Sequence, residues 1–438
     1  MFRMLRLEAK RSIALLLFLV VAALTRVFLW MDVQQWAASW TPLVHSMRGT
    51  AWIVLPVVLA AAIWHGGRER RAEVSELFAA TPRPHRVRLL PAFLVFAGTA
   101  ALAVAAVVGW AAVVVAGNAT FDGGEWPLGL AVGLLAAVAV TLVGLGVGRV
   151  APAPVAAPLG AVLLFLALTF AQVRDGRPAN RLVDTVLPML PVTDDFHRVL
   201  PAFSLAQGIW FAGLGATGVL LAVAVTSRAR ALALAPAVAG VALGAVLAPS
   251  GAIVPAPAAT ALVCAPGDDR ICVTQVHSRA LQDLIAPARK VLEAFAEVPG
   301  GPKRVQEDQV SWMFDDGRPT AGADLDTVRV ALPYRTREGG IRWEPDAVLS
   351  IVAQEATVDP GCFDGQEEQR RAFDASGAIT AALLDTPTDK LSPAARQAYD
   401  TLRALPIEER RRRIGDGRRA GLTCGDPLAV VMGREAGR

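Results

Sequence analysis

"RERRAEVSELFAATPRPHRVRLLP" occupies Arg68–Pro91. It interrupts two apolar runs, "AWIVLPVVLAAAIW" (51–64) and "AFLVFAGTAALAVAAVVGWAAVVVAG" (92–117). Runs of this kind have no place on a water-exposed surface. A helix that crosses a bilayer needs about 20 mostly apolar residues, and only a helix satisfies its own backbone in hydrocarbon. The charged stretch then reads as a loop between two crossings. Seven windows meet the apolar criterion: 12–31, 50–65, 91–116, 127–148, 155–172, 205–226 and 231–249. Pro56 lies inside the second and is expected to kink it. The first window lacks a small-residue cleavage site and is expected to remain as a helix.

Composition agrees: 54% of residues are hydrophobic and the mean hydropathy is +0.43. Residues 1–250 carry 19 basic and 11 acidic residues, and residues 251–438 carry 24 and 28, so the net +4 hides a basic half and an acidic half. The basic residues flank apolar runs, which argues against a nucleic-acid-binding surface. With the N-terminus inside, 13 Lys and Arg flank the inner ends and five the outer ends, namely Arg48, Arg174, Arg177, Arg181 and Arg198. That asymmetry orients the chain. Seven crossings then place residues 251–438 outside. All four cysteines lie there, as disulfides in an oxidising compartment would. The expected fold is an α-helical polytopic membrane protein of about seven spans (1–250) with an extracytoplasmic α+β domain (251–438).

Within the charged loop, Glu69, Glu73 and Glu76 recur at helical spacing, and Val74, Leu77 and Phe78 cluster on another face. Thr81-Pro82 and Arg83-Pro84 stop the pattern. The segment reads as a short amphipathic helix at the cytoplasmic face. One reading makes it a solvated connector. The other makes it a docking helix for a cytoplasmic partner.

This stretch resembles the first cytoplasmic loop of permeases of the ABC-type-two exporter class. Such loops read as an acidic residue, a Gly-Thr step, Glu-Leu-Leu, a spacer and Thr-x-Pro. Here Glu69, then Glu76-Leu77-Phe78, then Thr81-Pro82 stand in those places, with Glu73-Val74 where the family has Gly-Thr. The layout is similar too: a basic amphipathic start ("MFRMLRLEAKR"), a loop after the second span, and an element before the last core span, here "RLVDTVLPMLPVTDDFHRVLPAF" (181–203). The resemblance covers about residues 1–230. It implies a permease subunit in the plasma membrane that pairs with a second permease, homo- or heterodimeric. It also implies a separate ABC ATPase docked on residues 68–84 through Glu69, Glu73, Val74, Glu76, Leu77 and Phe78.

The chain carries no G-x-x-x-x-G-K-S/T phosphate loop, so ATP hydrolysis is expected in a partner and no cofactor is expected here. "GLGATG" (213–218) and "GLGVG" (144–148) look like dinucleotide fingerprints, yet both lie inside apolar runs and read as helix-packing glycines. Charge within the runs is sparse. Arg26 is expected to snorkel or to pair with Asp32, and Gln207 opens the sixth window.

In the second half, "ALVC" and "ICVTQVH" read as a hairpin and Ser278 as the cap of a long helix. Cys264 and Cys272 flank the hairpin turn, which leaves Cys362 to pair with Cys424. "AQEATVD" (353–359) resembles the A-H-E-x-x-H helix of gluzincin aminopeptidases. The resemblance puts Glu355 at the general base but Gln354 and Val358 where zinc needs histidines. No metal site and no catalytic residue are expected. The alternative function is a membrane-anchored extracellular binding or sensing module, with a catalytically dead gluzincin-like domain.

Overall fold

The computed structural model describes residues 2–73, 85–172, 181–190, 195–308, 324–332, 340, 344–363 and 365–434. The chain divides into two compact units, Met1–Ala256 and Pro257–Arg438.

The first unit is a helical bundle. Its helices are α1 (Phe2–Arg11), α2 (Ala14–Met31), α3 (Val33–Trp36), α4 (Trp40–Gly49), α5 (Ala51–Gly66), α6 (Arg68–Arg71), α7 (His85–Asn118), α8 (Trp126–Val150), α9 (Ala156–Gln172), α10 (Arg181–Val186), α11 (Pro201–Val223), α12 (Ser227–Leu232) and α13 (Ala235–Leu247). Five stretches are long and apolar enough to cross a membrane: Ala14–Met31, Leu89–Asn118, Trp126–Val150, Pro201–Val223 and Ser227–Leu247. The α4–α5 pair, bent by 48° at its break, passes the same test when taken together, as a broken span or a re-entrant loop, and α9 is apolar but shorter. Leu15, Val113, Phe170 and Val246 lie exposed on this bundle. In water such a surface promotes association, whereas in hydrocarbon it costs nothing.

This region corrects two expectations. The helical α4–α5 pair starts ten residues before the apolar window 50–65. Arg48, read as an outer-loop residue, is therefore inside the bundle and only 1% exposed. The bend is not at Pro56, which α5 absorbs. It falls at Gly49–Thr50, where the Thr50 hydroxyl donates to the Met47 carbonyl at 2.7 Å. A side chain that bonds back to its own helix competes with the backbone ladder and bends it.

Both glycine motifs sit at helix crossings. A methyl group on Gly144 would meet Ala62, one on Gly146 the Gly218 carbonyl, and one on Gly148 the Ile63 carbonyl. One on Gly213 would meet the Pro236 carbonyl. Backbones approach this closely only where no Cβ intervenes.

β1 (His197–Val199) and β2 (Ile253–Pro255) pair antiparallel, and so draw the segment after α13 into the first unit.

The second unit holds α14 (Pro257–Thr260) and the strands β3 (Leu262–Ala265), β4 (Asp268–Thr274), β5 (Arg304–Glu307) and β6 (Thr327–Val330). The sheet order is β3-β4-β5-β6, with β3–β4 antiparallel and the other pairs parallel. α15 (Leu281–Ala294) makes the crossover from β4 to β5, as a parallel pair requires. Its N-cap is Ala280, not Ser278, because a 3-10 turn over Gln275–Ala280 precedes it. Then follow α16 (Pro345–Glu355), α17 (Gln366–Leu384), α18 (Pro393–Ala404), α19 (Ile407–Leu422) and α20 (Pro427–Val431). Ile271, Val305, Val328, Val352, Ile379, Leu402 and Ile414 join one core.

Arg418 lies in this core, 1% exposed, and donates to the carbonyls of Ala356 (2.7 Å), Gly300 (2.7 Å) and Leu325 (2.6 Å). Burial pushes it down to about 10, still charged at neutral pH. One side chain thus joins α19 to the end of α16 and to two loops.

Candidate functional site

At one end of the bundle, the C-terminal ends of α5 and α8 meet α1 and α6. Glu8 of α1 lies 3.1 Å from His65 Nε2 and 2.6 Å from Arg68 Nη1. The hydrogen bond with His65 is the main reason its carboxyl falls to about 2. Partial burial opposes the shift, and Arg68 adds to it. His65 stacks on Phe96 with ring centroids 3.9 Å apart. Glu69 accepts from both terminal nitrogens of Arg149 at 3.3 Å. The Arg71 guanidinium covers the Trp64 ring at 4.2 Å and donates to the Trp64 carbonyl.

This rim anchors the base of the charged loop and corrects how the loop begins. α6 is a single turn, and Glu73 takes a left-handed backbone at φ 54°. An αL residue at this position ends a helix. Glu69 and Glu73 therefore do not share one continuous helical face, and Glu69 is spent on Arg149. Val74, Glu76, Leu77 and Phe78 lie outside the described residues.

At the other end, Trp40 stacks on Trp126 at 4.5 Å, and Arg198 pairs with Glu125 at 2.5 Å. Arg26 does not pair with Asp32. Its guanidinium sits over the rings of Trp110 (3.7 Å) and Trp30 (4.7 Å). A cation over an aromatic face keeps its attraction where water is scarce.

Between the two ends, Arg48 Nε donates to the Pro188 carbonyl at 2.8 Å and Nη2 to Gln207 Oε1 at 2.6 Å. Gln207 Nε2 donates in turn to the carbonyls of Asp184 and Leu187, both at 2.9 Å. Gln207 is completely buried. The apolar-window reading missed this node. The sequence did offer a signal, because His45 and Arg48 sit among Leu43, Val44 and Met47.

In the second unit the cysteines form two bridges, Cys264–Cys272 and Cys362–Cys424. Cys264 and Cys272 are direct cross-strand partners in the β3–β4 register. Cys424 has φ 59° just after α19, and Cys362 follows α16 in a 3-10 turn. The second bridge therefore clasps the two helix exits.

Glu355 ends α16, and among the described residues no hydrogen bond or ion pair offsets its burial. Burial first, then the charges of Asp359 and Asp308, push its carboxyl up to about 8. Val358, at the second histidine position of a gluzincin helix, is 1% exposed in the core. Among the described residues no group of three or more His, Cys, Asp or Glu could hold a metal ion. Nearby, Glu307 is buried against His277 and accepts from the Thr274 backbone N–H (2.7 Å) and hydroxyl (2.6 Å). Burial pushes its carboxyl up, but His277 and the Thr274 hydrogen bonds outweigh this and hold it below the usual range.

The chain matches no protein-family model, no curated protein and no solved structure.

Proposed function

We propose that the chain is the membrane-spanning permease subunit of an ABC transporter, driven by a separate ATPase that docks on the cytoplasmic segment 68–84. The observation that carries this reading is the rim at the foot of that segment. Three contacts, Glu8 with His65, Glu8 with Arg68 and Glu69 with Arg149, tie the loop's base to α1, α5 and α8. A push on the loop would reach three helices through charge-assisted bonds instead of being lost in a slack linker. The amphipathic α1, the loop after the second crossing and the α10 element before α11 support the same layout.

In this reading the five spans, the bent α4–α5 pair and α9 make seven crossings. α9 has 17 residues, about 25 Å of helix, and a short span is met by local thinning of the bilayer. The N-terminus lies inside and residues 257–438 outside. Burial of Arg48 leaves four basic residues at the outer ends, which sharpens the asymmetry. The direct test is purification of the tagged chain from its native membrane in mild detergent. A stoichiometric chain bearing a phosphate loop supports the reading. A kinase or response regulator in its place supports the second reading, an anchored extracellular sensing module. That reading draws on the second unit having its own core and its own two bridges.

A further inference from the structure

Arg48 is 1% exposed inside the apolar bundle. Eight residues separate it from Trp40, which places it about 12 Å along the helix from the Trp40–Trp126 stack. Its guanidinium carries a full positive charge. Two of its nitrogens meet neutral acceptors, the Pro188 carbonyl and the Gln207 amide oxygen. Neither neutralises the charge, and no carboxylate lies within ion-pair distance of Arg48 among the described residues. Among the described residues, Nη1 is buried and has no partner. Nδ1 of His45, one turn back on α4, is buried and has none either. Arg48 also lines a cavity of about 20 Å³, together with Thr50, Val54, Val104, Gly133 and Pro188. Among the described residues no acidic side chain lines it.

A charged side chain within a membrane bundle is costly and marks a functional site unless something pairs with it. A water molecule would satisfy the Nη1 hydrogen bond but leave the charge. The space is enough for a small guest beside the guanidinium. Phosphate, sulfate and carboxylates bring two or more oxygens that each need a donor, and among the described lining residues only Arg48 Nη1 is unpaired, because the Thr50 hydroxyl is used on Met47. We infer that the cavity beside Arg48 binds a single halide ion, which chloride supplies in the cell. The ion would sit where α4, α5, α7 and α8 meet the segment after α10. This inference stands whether or not an ATPase drives the chain.

Two measurements on the full-length protein in lipid nanodiscs test it. The first titrates potassium chloride against potassium gluconate at constant ionic strength and follows unfolding by tryptophan fluorescence. Chloride should raise the melting temperature saturably, as a ligand of the folded state does. The second follows the ³⁵Cl NMR linewidth, which should show saturable broadening that bromide removes. Gly133→Ala supplies the control. Its methyl would enter the cavity wall 3.2 Å from Arg48 Cγ and 2.8 Å from the flexible Met47 Cε. The variant should keep its melting temperature in gluconate and weaken chloride binding about tenfold or more. Arg48→Gln should abolish the chloride effect. If chloride and gluconate give the same curves and no saturable broadening, the cavity holds water and the inference fails. It also fails if Gly133→Ala, or a folded Arg48→Gln, binds chloride like the wild type.

Discussion

Glu8 and His65 stand 57 residues apart in the chain and 3.1 Å apart in space. The pair fixes the amphipathic first helix to the end of α5. Glu8 has a depressed folded pKa, so its stabilising contribution is present above about 4.5 and is lost as the pH falls towards about 2. Glu8→Gln removes the charge at neutral pH and keeps the shape. Amide exchange in α1 should then rise about tenfold while α7 and α8 keep their protection. Unchanged exchange in α1 would show that apolar contacts alone hold it.

Glu355 predicts the opposite pH dependence in the second unit. Its folded pKa, about 8, lies above the unfolded value of about 4.5. The folded state therefore holds a proton that the unfolded chain has released. Its contribution is greatest below about 4.5, declines as the pH rises to about 8, and is flat beyond. Glu307 acts only at the acid end, where protonation removes its stabilisation. Glu355→Gln should flatten the decline between pH 5 and 8 and raise the melting temperature at pH 8. A wild-type slope in this variant would assign the dependence to other groups.

The two bridges should differ in weight. Cys362–Cys424 closes a separation of 62 residues and Cys264–Cys272 one of eight. Loop-closure entropy gives about 4 kcal/mol for the first and about 2.5 for the second. Paired Cys→Ser variants, melted without reductant, should rank in that order. Non-reducing peptide mapping should recover the two linked peptides, and full alkylation of the native protein would exclude both bridges.

Much of this architecture is legible in the sequence because its causes are local. Every apolar window is helical, since bilayer-length runs of Ala, Val and Leu have no other way to bond their backbone. The cysteine pairs follow from a hairpin turn and from elimination. What escaped is non-local or masked by residue type. Arg48 interrupts an apolar run and so reads as a flank, while its partners Pro188 and Gln207 are far along the chain. Arg418 hides in "RRRRIGDGRR", where a charge run suggests a solvated face. Only its helical spacing from Ile414 and Gly421, which lie four residues before and three after, hints that it faces the core. β1 and β2 are three residues each, too short for any period. Glu73 carries no side-chain preference for a left-handed backbone, so the break after α6 had no signal.

The central claim is that an ATPase drives this chain through residues 68–84. Glu76→Arg with Leu77→Asp reverses one charge and removes one apolar contact on the expected docking segment. Neither residue belongs to the Glu8–His65–Arg68 or Glu69–Arg149 contacts, so the rim should stay intact. The decisive measurement is ATP hydrolysis by the purified assembly in nanodiscs, with and without this double change. The account predicts loss of the ATPase from the complex and a fall in membrane-coupled hydrolysis of about tenfold or more, as expected when a hot spot of an interface is removed. Full retention of the ATPase and of its coupled activity would contradict it and leave the segment a connector.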